Sequence, residues 1–258
     1  MDIASIKRSV RGRVGKEIFF YDRIGSTNSA AMDLAAKSPE GSVVLADCQE
    51  RGRGRLGRTW ISPPGVNIYM SIILRPLIAS EEVTLMTMMS AVACASALRK
   101  SAGLHVLIKW PNDLMVGDKK IGGILTEVAV EGKRVTHAVV GIGINVNMDS
   151  RQFPDDIRET ATSVIHETGT PASRENLTVA VLNEIDRWYR ILETGGKQTL
   201  LEEWRSMTTT LGKQVVVSVG DQIFSGLAES TDEKGNLIIR LHSGETKKVS
   251  SGDVTVLR

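Results

Sequence analysis

Arginine and glycine alternate through residues 51–58, with guanidinium groups at Arg51, Arg53, Arg55 and Arg58, glycines at Gly52, Gly54 and Gly57, and Trp60 closing the run. Glycine lets a backbone come close to a ligand, and each guanidinium is a permanent planar fork of donors matched to carboxylate and phosphate. Residues 47–61 therefore have the chemistry of an anion-binding loop. On this segment alone, a solvated face or a nucleic-acid patch carries equal weight. A third reading is the phosphate loop of nucleotide hydrolases, because Gly52 to Thr59 fits G-x-x-x-x-G-K-[ST] with Arg58 in place of lysine. That loop must open a helix, and Pro63-Pro64-Gly65 follows almost at once, so this reading is rejected.

Other chemistry-bearing residues are fewer. Gly25-Ser26-Thr27-Asn28 sets two hydroxyls and an amide at a strand-to-helix junction, where a plain helix cap is an equally good account. Gly141 and Gly143 evoke a dinucleotide fingerprint, but Val146 stands where the third glycine belongs. The four histidines are scattered without metal-ligand spacing. Cys48 and Cys94 are too few for a disulfide framework and fit a reducing compartment. The 32 basic and 30 acidic residues nearly cancel, so any positive field is local, as at Arg51 to Arg58. Neither a signal-peptide pattern nor an apolar run of about 20 residues occurs, and a cytoplasmic protein is expected.

These residues need elements to hold them. Residues 17–22, 42–49 and 67–75 read as strands, so the arginine-glycine loop leaves the end of a buried strand. Residues 28–35 have the spacing of a short helix, and residues 81–100 of a long one, acidic at its start and basic at its end. Short strands at 106–110 and 114–116 precede a tight turn at Gly117-Asp118-Lys119 and a returning strand at 121–130. Residues 134–147 are apolar throughout their middle, which predicts a central strand buried on both faces. Residues 151–172 read as a loop with a short helix, and 175–194 and 198–207 as helices. Beyond Leu211, branched and polar residues alternate between glycine turns, the pattern of a small antiparallel barrel.

Five motifs, in order, then resemble one family, the biotin protein ligases. They are Gly25-Ser26-Thr27-Asn28, Gly52-Arg53-Gly54-Arg55-Leu56-Gly57-Arg58-Thr59-Trp60, Lys109-Trp110-Pro111-Asn112-Asp113-Leu114, Lys120-Ile121-Gly122-Gly123-Ile124-Leu125-Thr126-Glu127 and Gly141-Ile142-Gly143-Ile144-Asn145-Val146-Asn147. The resemblance implies an α+β catalytic core over residues 1–210, a mixed central β-sheet flanked by helices of the class II synthetase-like kind, and an SH3-like barrel over 211–258. It implies Mg-ATP and biotin as substrates with no prosthetic group, biotinyl-5'-AMP as intermediate, and a lysine of a biotin carboxyl carrier protein as acceptor. Ser26, Thr27, Gln49, Gly52, Arg53 and Gly123 would then surround biotin, with Arg55 and Lys120 as the catalytic cations between biotin and phosphate. Trp60 would stack on adenine or else anchor the loop. Asn145 and Asn147 would complete the nucleotide site, with Lys109 and Asn112 beside the phosphates. Asp113 would hold Mg²⁺ or else cap the Trp110-Pro111 turn.

Lys119, next to Lys120 on a strand, should face away. The glycine-rich loop is expected to act as a lid that is mobile when empty and ordered by ligand. Regulatory members of the family carry a helix-turn-helix domain before the core, and about 24 residues precede Gly25 here, so no specific DNA binding is expected. The family resemblance allows a homodimer joined by sheet edges. The nearest alternative is a lipoate or octanoate ligase, whose Arg-Arg-x-Ser-Gly-Gly-Gly-type motif is absent. The other is a non-catalytic biotin-binding or nucleic-acid-binding module, which has no need for both Arg55 and Lys120.

Overall fold

A computed structural model describes residues 1–257. The chain begins with helix α1 (Ile3–Ser9), where the sequence reading assigned no element; Asp2 Oδ1 caps it by accepting from the Ser5 amide at 2.9 Å. Next come β1 (Ile18–Tyr21), α2 (Thr27–Leu34), β2 (Val43–Ala46), β3 (Ile68–Leu74) and the long α3 (Val83–Ala102). Strands β4 (Val106–Lys109), β5 (Asp113–Val116), β6 (Lys119–Glu131) and β7 (Arg134–Ile144) follow. Two short helices, α4 (Asp155–Arg158) and α5 (Val164–Thr168), stand where one was expected, ahead of α6 (Arg174–Glu193) and α7 (Lys197–Met207). The chain closes with β8 (Gln214–Val219), β9 (Gln222–Thr231), β10 (Leu237–Leu241), β11 (Thr246–Val249) and β12 (Asp253–Val256).

The first seven strands form one mixed sheet in the order β1-β2-β3-β7-β6-β5-β4. Only β1 and β2 run parallel. Strand β7 is central, and its run from Ala138 to Ile142 is buried on both faces, as its unbroken apolar sequence requires. Side chains alternate across a strand, and that alternation divides the core. Val44, Ile73 and Val139 pack with Ala31 of α2 and with Ala35, just past its end, on one face. Their neighbours Val43, Leu45, Ile72, Leu74, Ala138 and Val140 join α3 and α6 on the other. Helix α2 is only two turns long, so it leaves the rest of its own face open.

The last five strands form a second, wholly antiparallel sheet in the order β11-β10-β9-β8-β12. It docks on the start of α3, and its apolar interior is continuous with the main core. Thr84 Oγ1 donates to the Ser250 carbonyl at 3.2 Å, and Lys234 Nζ donates to Glu81 Oε1 at 2.6 Å. Trp110 Nε1 reaches the Gly235 carbonyl at 3.1 Å. Gly235 has a φ of +80°, and a Cβ there would lie 2.5 Å from Met88 Sδ. Both the backbone conformation and the close approach require glycine. Gly235→Ala should therefore destabilise the protein by about 1–3 kcal/mol, read as a fall of several degrees in thermal midpoint; an unchanged midpoint would contradict this view of the junction.

Candidate active site

The open part of the α2 face is paved with glycine. Across the sheet, Ser71 of β3 pairs with Gly141 of β7 and Gly141 with Leu125 of β6. In the next row on that face, Tyr69 pairs with Gly143 and Gly143 with Gly123. A Cβ at Gly141 would lie 2.0 Å from Asn28 Oδ1, and one at Gly143 only 2.5 Å from the Trp60 ring. The two glycines that suggested a dinucleotide site thus make room for an amide and an indole. Above this floor lies a cavity of about 430 Å³.

Its roof is the segment between β2 and β3. Arg174 at the start of α6 ties both roots of that segment together, donating to Asp47 Oδ1 at 2.8 Å and to the Asn67 carbonyl at 3.2 Å. The arginine-glycine run itself folds into a tight hairpin: the Trp60 amide donates to the Gly52 carbonyl at 2.9 Å, and the Gly54 amide to the Arg58 carbonyl at 2.7 Å. Leu56 (φ +53°) and Gly57 (φ +73°) make its turn. Arginines pin the hairpin to three places. Arg53 forms a double hydrogen bond with Glu127, Arg58 pairs with Asp253, and Arg55 Nη2 donates to the Gly252 carbonyl at 3.0 Å. Gly252 and Asp253 belong to the small β-domain, which therefore helps hold the roof.

One end of the cavity is polar and uncharged. Ser26 precedes α2 without making a side-chain cap, so the helix-cap account does not explain its hydroxyl. Thr27 Oγ1 lies 3.0 Å from Gln49 Oε1, which also accepts from the Thr27 amide at 2.9 Å. Ser71 Oγ lies 2.9 Å from Thr27 Oγ1 and 2.6 Å from Asn28 Oδ1. Gln49 Nε2 donates to Ser62 Oγ at 2.9 Å. A hydroxyl carries one proton, so the Gln49–Thr27–Ser71–Asn28 contacts share two protons among three oxygen–oxygen pairs. The row is acceptor-rich and suits an N–H donor entering from the cavity.

The other end is cationic. Asp113 of β5, with its side chain 13% exposed, lies between two ammonium groups: Lys120 Nζ is 2.5 Å from Oδ1 and Lys109 Nζ is 3.3 Å from Oδ2. Burial opposes the charge on Asp113, but the attraction of Lys120 and then Lys109 outweighs it and holds the carboxyl below its usual range. Arg55 Nη1 donates to Asn112 Oδ1 at 2.7 Å, and Asn112 is itself fixed by donating to the Ile124 carbonyl at 3.0 Å. Burial lowers the Arg55 pKa, offset in part by Asp113 and Asp253. Three cations thus face one carboxylate. Lys120 Nζ also stands 5.7 Å from the centre of the Trp60 ring, whose buried Nε1 has no hydrogen-bond partner among the described residues.

Of the residues singled out from sequence, Ser26, Thr27, Gln49, Arg53, Arg55, Trp60, Lys109, Asn112, Asp113, Lys120, Gly123 and Asn145 all line this one cavity. Lys120 faces it and Lys119 does not line it, as strand alternation requires. Two others stand elsewhere. Gly52 lies behind the wall, where a Cβ would be 2.3 Å from the Trp60 carbonyl, so its role is to let the hairpin close. Asn147 exchanges two hydrogen bonds of 2.9 Å with the Ala172 backbone and is an anchor outside the cavity. Asp113 is a poor metal ligand here, since both of its oxygens are engaged by lysines. Among the described residues no group of three or more His, Cys, Asp or Glu could hold a metal ion. The sequence reading missed Ser71, Glu127, Asp253 and the wall at Phe153, Ile157 and Thr160. Ser71 left a signal as the one serine inside an apolar strand, and Glu127 as the last residue of the fourth motif.

Residues 20–145 match the biotin/lipoate A/B protein ligase family, and residues 210–257 match the biotin protein ligase C terminal domain. The bifunctional ligase/repressor BirA of Bacillus spizizenii is 36% identical over 242 residues, covering 93% of this chain and 74% of that protein. The chain belongs to the biotin protein ligase family. A biotin--[acetyl-CoA-carboxylase] ligase of Paracoccus denitrificans is 32% identical over 86% of this chain and 93% of its own length. The biotin protein ligase from Aquifex aeolicus, solved in complex with biotin and ATP, superposes with a TM-score of 0.80 at 28% identity, covering 94% of this chain and 99% of that one.

In this member of the biotin protein ligase family, the Trp60 seat depends on a missing side chain. Gly143→Ala would place a methyl group in the indole ring and should expel Trp60 from the floor. Acrylamide quenching of tryptophan fluorescence should rise in that variant, and the rise should vanish in a Trp60→Phe background. Equal quenching of wild type and Gly143→Ala would contradict the seat.

Proposed function

We propose that the cavity joins biotin to ATP and passes the activated acyl group to a carrier lysine. The observation that carries this reading is the division of one cavity into a neutral, hydrogen-bonding end and a cationic end. Biotin has the same division: a ureido ring that offers both donors and acceptors, and a carboxylate at the far end of an alkyl chain. Ser26, Thr27 and Gln49 suit the ring, with Gly123 and the Arg53 backbone closing on it. Arg55 and Lys120 suit the carboxylate and the α-phosphate. Trp60 and Asn145 suit the adenine, and Lys109 and Asn112 the remaining phosphates. Magnesium enters as the companion of ATP.

In the first step a carboxylate oxygen attacks the α-phosphorus, the bond to the β-phosphate breaks, and pyrophosphate leaves with the electron pair. In the second, a lysine amine attacks the acyl carbon of biotinyl-5'-AMP, AMP leaves, and the amine loses a proton. The first step brings two anions together, and both steps develop negative charge on oxygen, so fixed cations in a closed site are the main requirement. A unit charge pair at ~4 Å is worth about 1 kcal/mol in water and about 4 kcal/mol at an effective dielectric of 20. The pinned hairpin roof serves that exclusion of water.

The acceptor in this reading is the carrier protein of a biotin-dependent carboxylase; the name of the Paracoccus relative gives acetyl-CoA carboxylase for that protein. A cytoplasmic site of action is supported by the two unpaired, buried thiols, Cys48 and Cys94. No helix among the described residues is long and apolar enough to cross a membrane.

Release of AMP and pyrophosphate from ATP, measured in parallel with biotin, lipoate and octanoate, should require biotin. Arg55→Ala and Lys120→Ala should each slow adenylate formation by about 10²-fold or more. Turnover that prefers lipoate would overturn the substrate, and near-wild-type rates in either variant would overturn the roles.

A further inference from the structure

Glu127 of β6 touches both the polar row and the roof, and the reaction as described gives it nothing to do. Its Oε2 accepts from Asn28 Nδ2 at 2.8 Å and from Arg53 Nη1 at 3.1 Å, and its Oε1 accepts from Arg53 Nη2 at 2.8 Å. Asn28 Nδ2 also donates to the Leu125 carbonyl at 3.2 Å. Two acceptors on one side of the Asn28 amide and the Ser71 hydroxyl on the other dictate its orientation. The NH₂ group faces Glu127, and Oδ1 faces Ser71 and the cavity.

That orientation decides where the protons sit. With Oδ1 towards Ser71, the three oxygen contacts from Asn28 to Gln49 share two hydroxyl protons. Turned over, Asn28 would donate an N–H to Ser71, Ser71 would donate to Thr27, and Thr27 to Gln49. All three contacts would then close, and the row would be satisfied with no ligand present. The geometry points to Glu127 as a positioning residue that holds the Asn28 amide in one orientation and so keeps the row one proton short, to be completed by an N–H of the bound ligand's neutral head. Arg53 joins this arrangement to the roof: the double hydrogen bond keeps the carboxylate against Asn28 when the hairpin is down. Selectivity for a donor-bearing head and closure of the roof therefore meet at one side chain.

This inference rests on the biotin reading above, and its test separates the two. Biotin dissociation constants are measured by calorimetry for wild type, Glu127→Gln, Glu127→Ala, Ser71→Ala and the Ser71→Ala/Glu127→Ala double variant. Glu127→Gln keeps an acceptor for Asn28 and should bind within about twofold of wild type. Glu127→Ala frees the amide to turn over and should bind about tenfold more weakly or worse. With Ser71 removed, a turned amide has no hydroxyl to pass a proton through, so Glu127→Ala should add less than about twofold in that background. In steady state the Glu127→Ala defect should appear in the KM for biotin and not in kcat. Wild-type affinity in Glu127→Ala, an undiminished loss in the Ser71→Ala background, or a Glu127→Gln variant as weak as Glu127→Ala would overturn the positioning role while leaving biotin as the ligand. Failure of the wild type to bind biotin would overturn both.

Discussion

Two lysine ammonium groups share one sequestered carboxylate at the cationic end of the cavity, and the rest of the site follows from that constraint. Without Asp113, Lys109 and Lys120 would repel each other across a few ångströms of poorly solvated space, and Arg55 would add to the repulsion. With it, the three cations stay near one another in the absence of a ligand and retain an excess of positive charge to offer one. The folded pKa of Asp113 lies below its ordinary value, so the arrangement stabilises the protein at neutral pH. That contribution is lost only as pH falls through the carboxylate range towards the folded value.

The fold supplies what a charge cluster alone lacks, which is a fixed floor and a fixed roof. The floor is a central sheet whose strands are buried on both sides beneath α2 and above α3, so its glycines sit in a rigid frame. The roof leaves one strand and enters the next, with both roots tied by Arg174. The small β-domain closes the remaining side by offering the Gly252 carbonyl to Arg55 and Asp253 to Arg58. The small β-domain thereby orients Arg55, one of the three cations of the cavity.

Much of this was legible in the sequence wherever one residue type has one physical use. The apolar run of β7 could only be a central strand, and the alternation of Lys119 and Lys120 decided which lysine faces the cavity. The arginine-glycine run read as an anion-binding loop with a solvated or nucleic-acid-binding face of equal weight, and in the structure Arg53 and Arg58 meet the carboxylates of Glu127 and Asp253. What stayed hidden depends on distance in space. Asp253 lies almost two hundred residues from Arg58, and nothing near it in sequence marks it. Asn147, which the family resemblance puts in the nucleotide site, lies beyond the end of β7 at Ile144 and exchanges hydrogen bonds with the Ala172 backbone. The family resemblance leaves Asp113 as a Mg²⁺ ligand or a cap of the Trp110-Pro111 turn, and only the structure shows both of its oxygens engaged by lysines. Helix α1 rests on one cap and one buried residue, Ile6, too little periodicity to notice in a basic segment.

Asp113 assembles the cations to which the proposed first step is assigned. The direct measurement is the rapid-quench rate of biotinyl-5'-AMP formation by Asp113→Asn at saturating biotin and ATP, with biotin affinity measured alongside. Asparagine keeps the shape and removes the charge, so the lysines should separate and the rate at saturating biotin and ATP should fall by about 10²-fold. A wild-type rate of adenylate formation in Asp113→Asn would contradict the account.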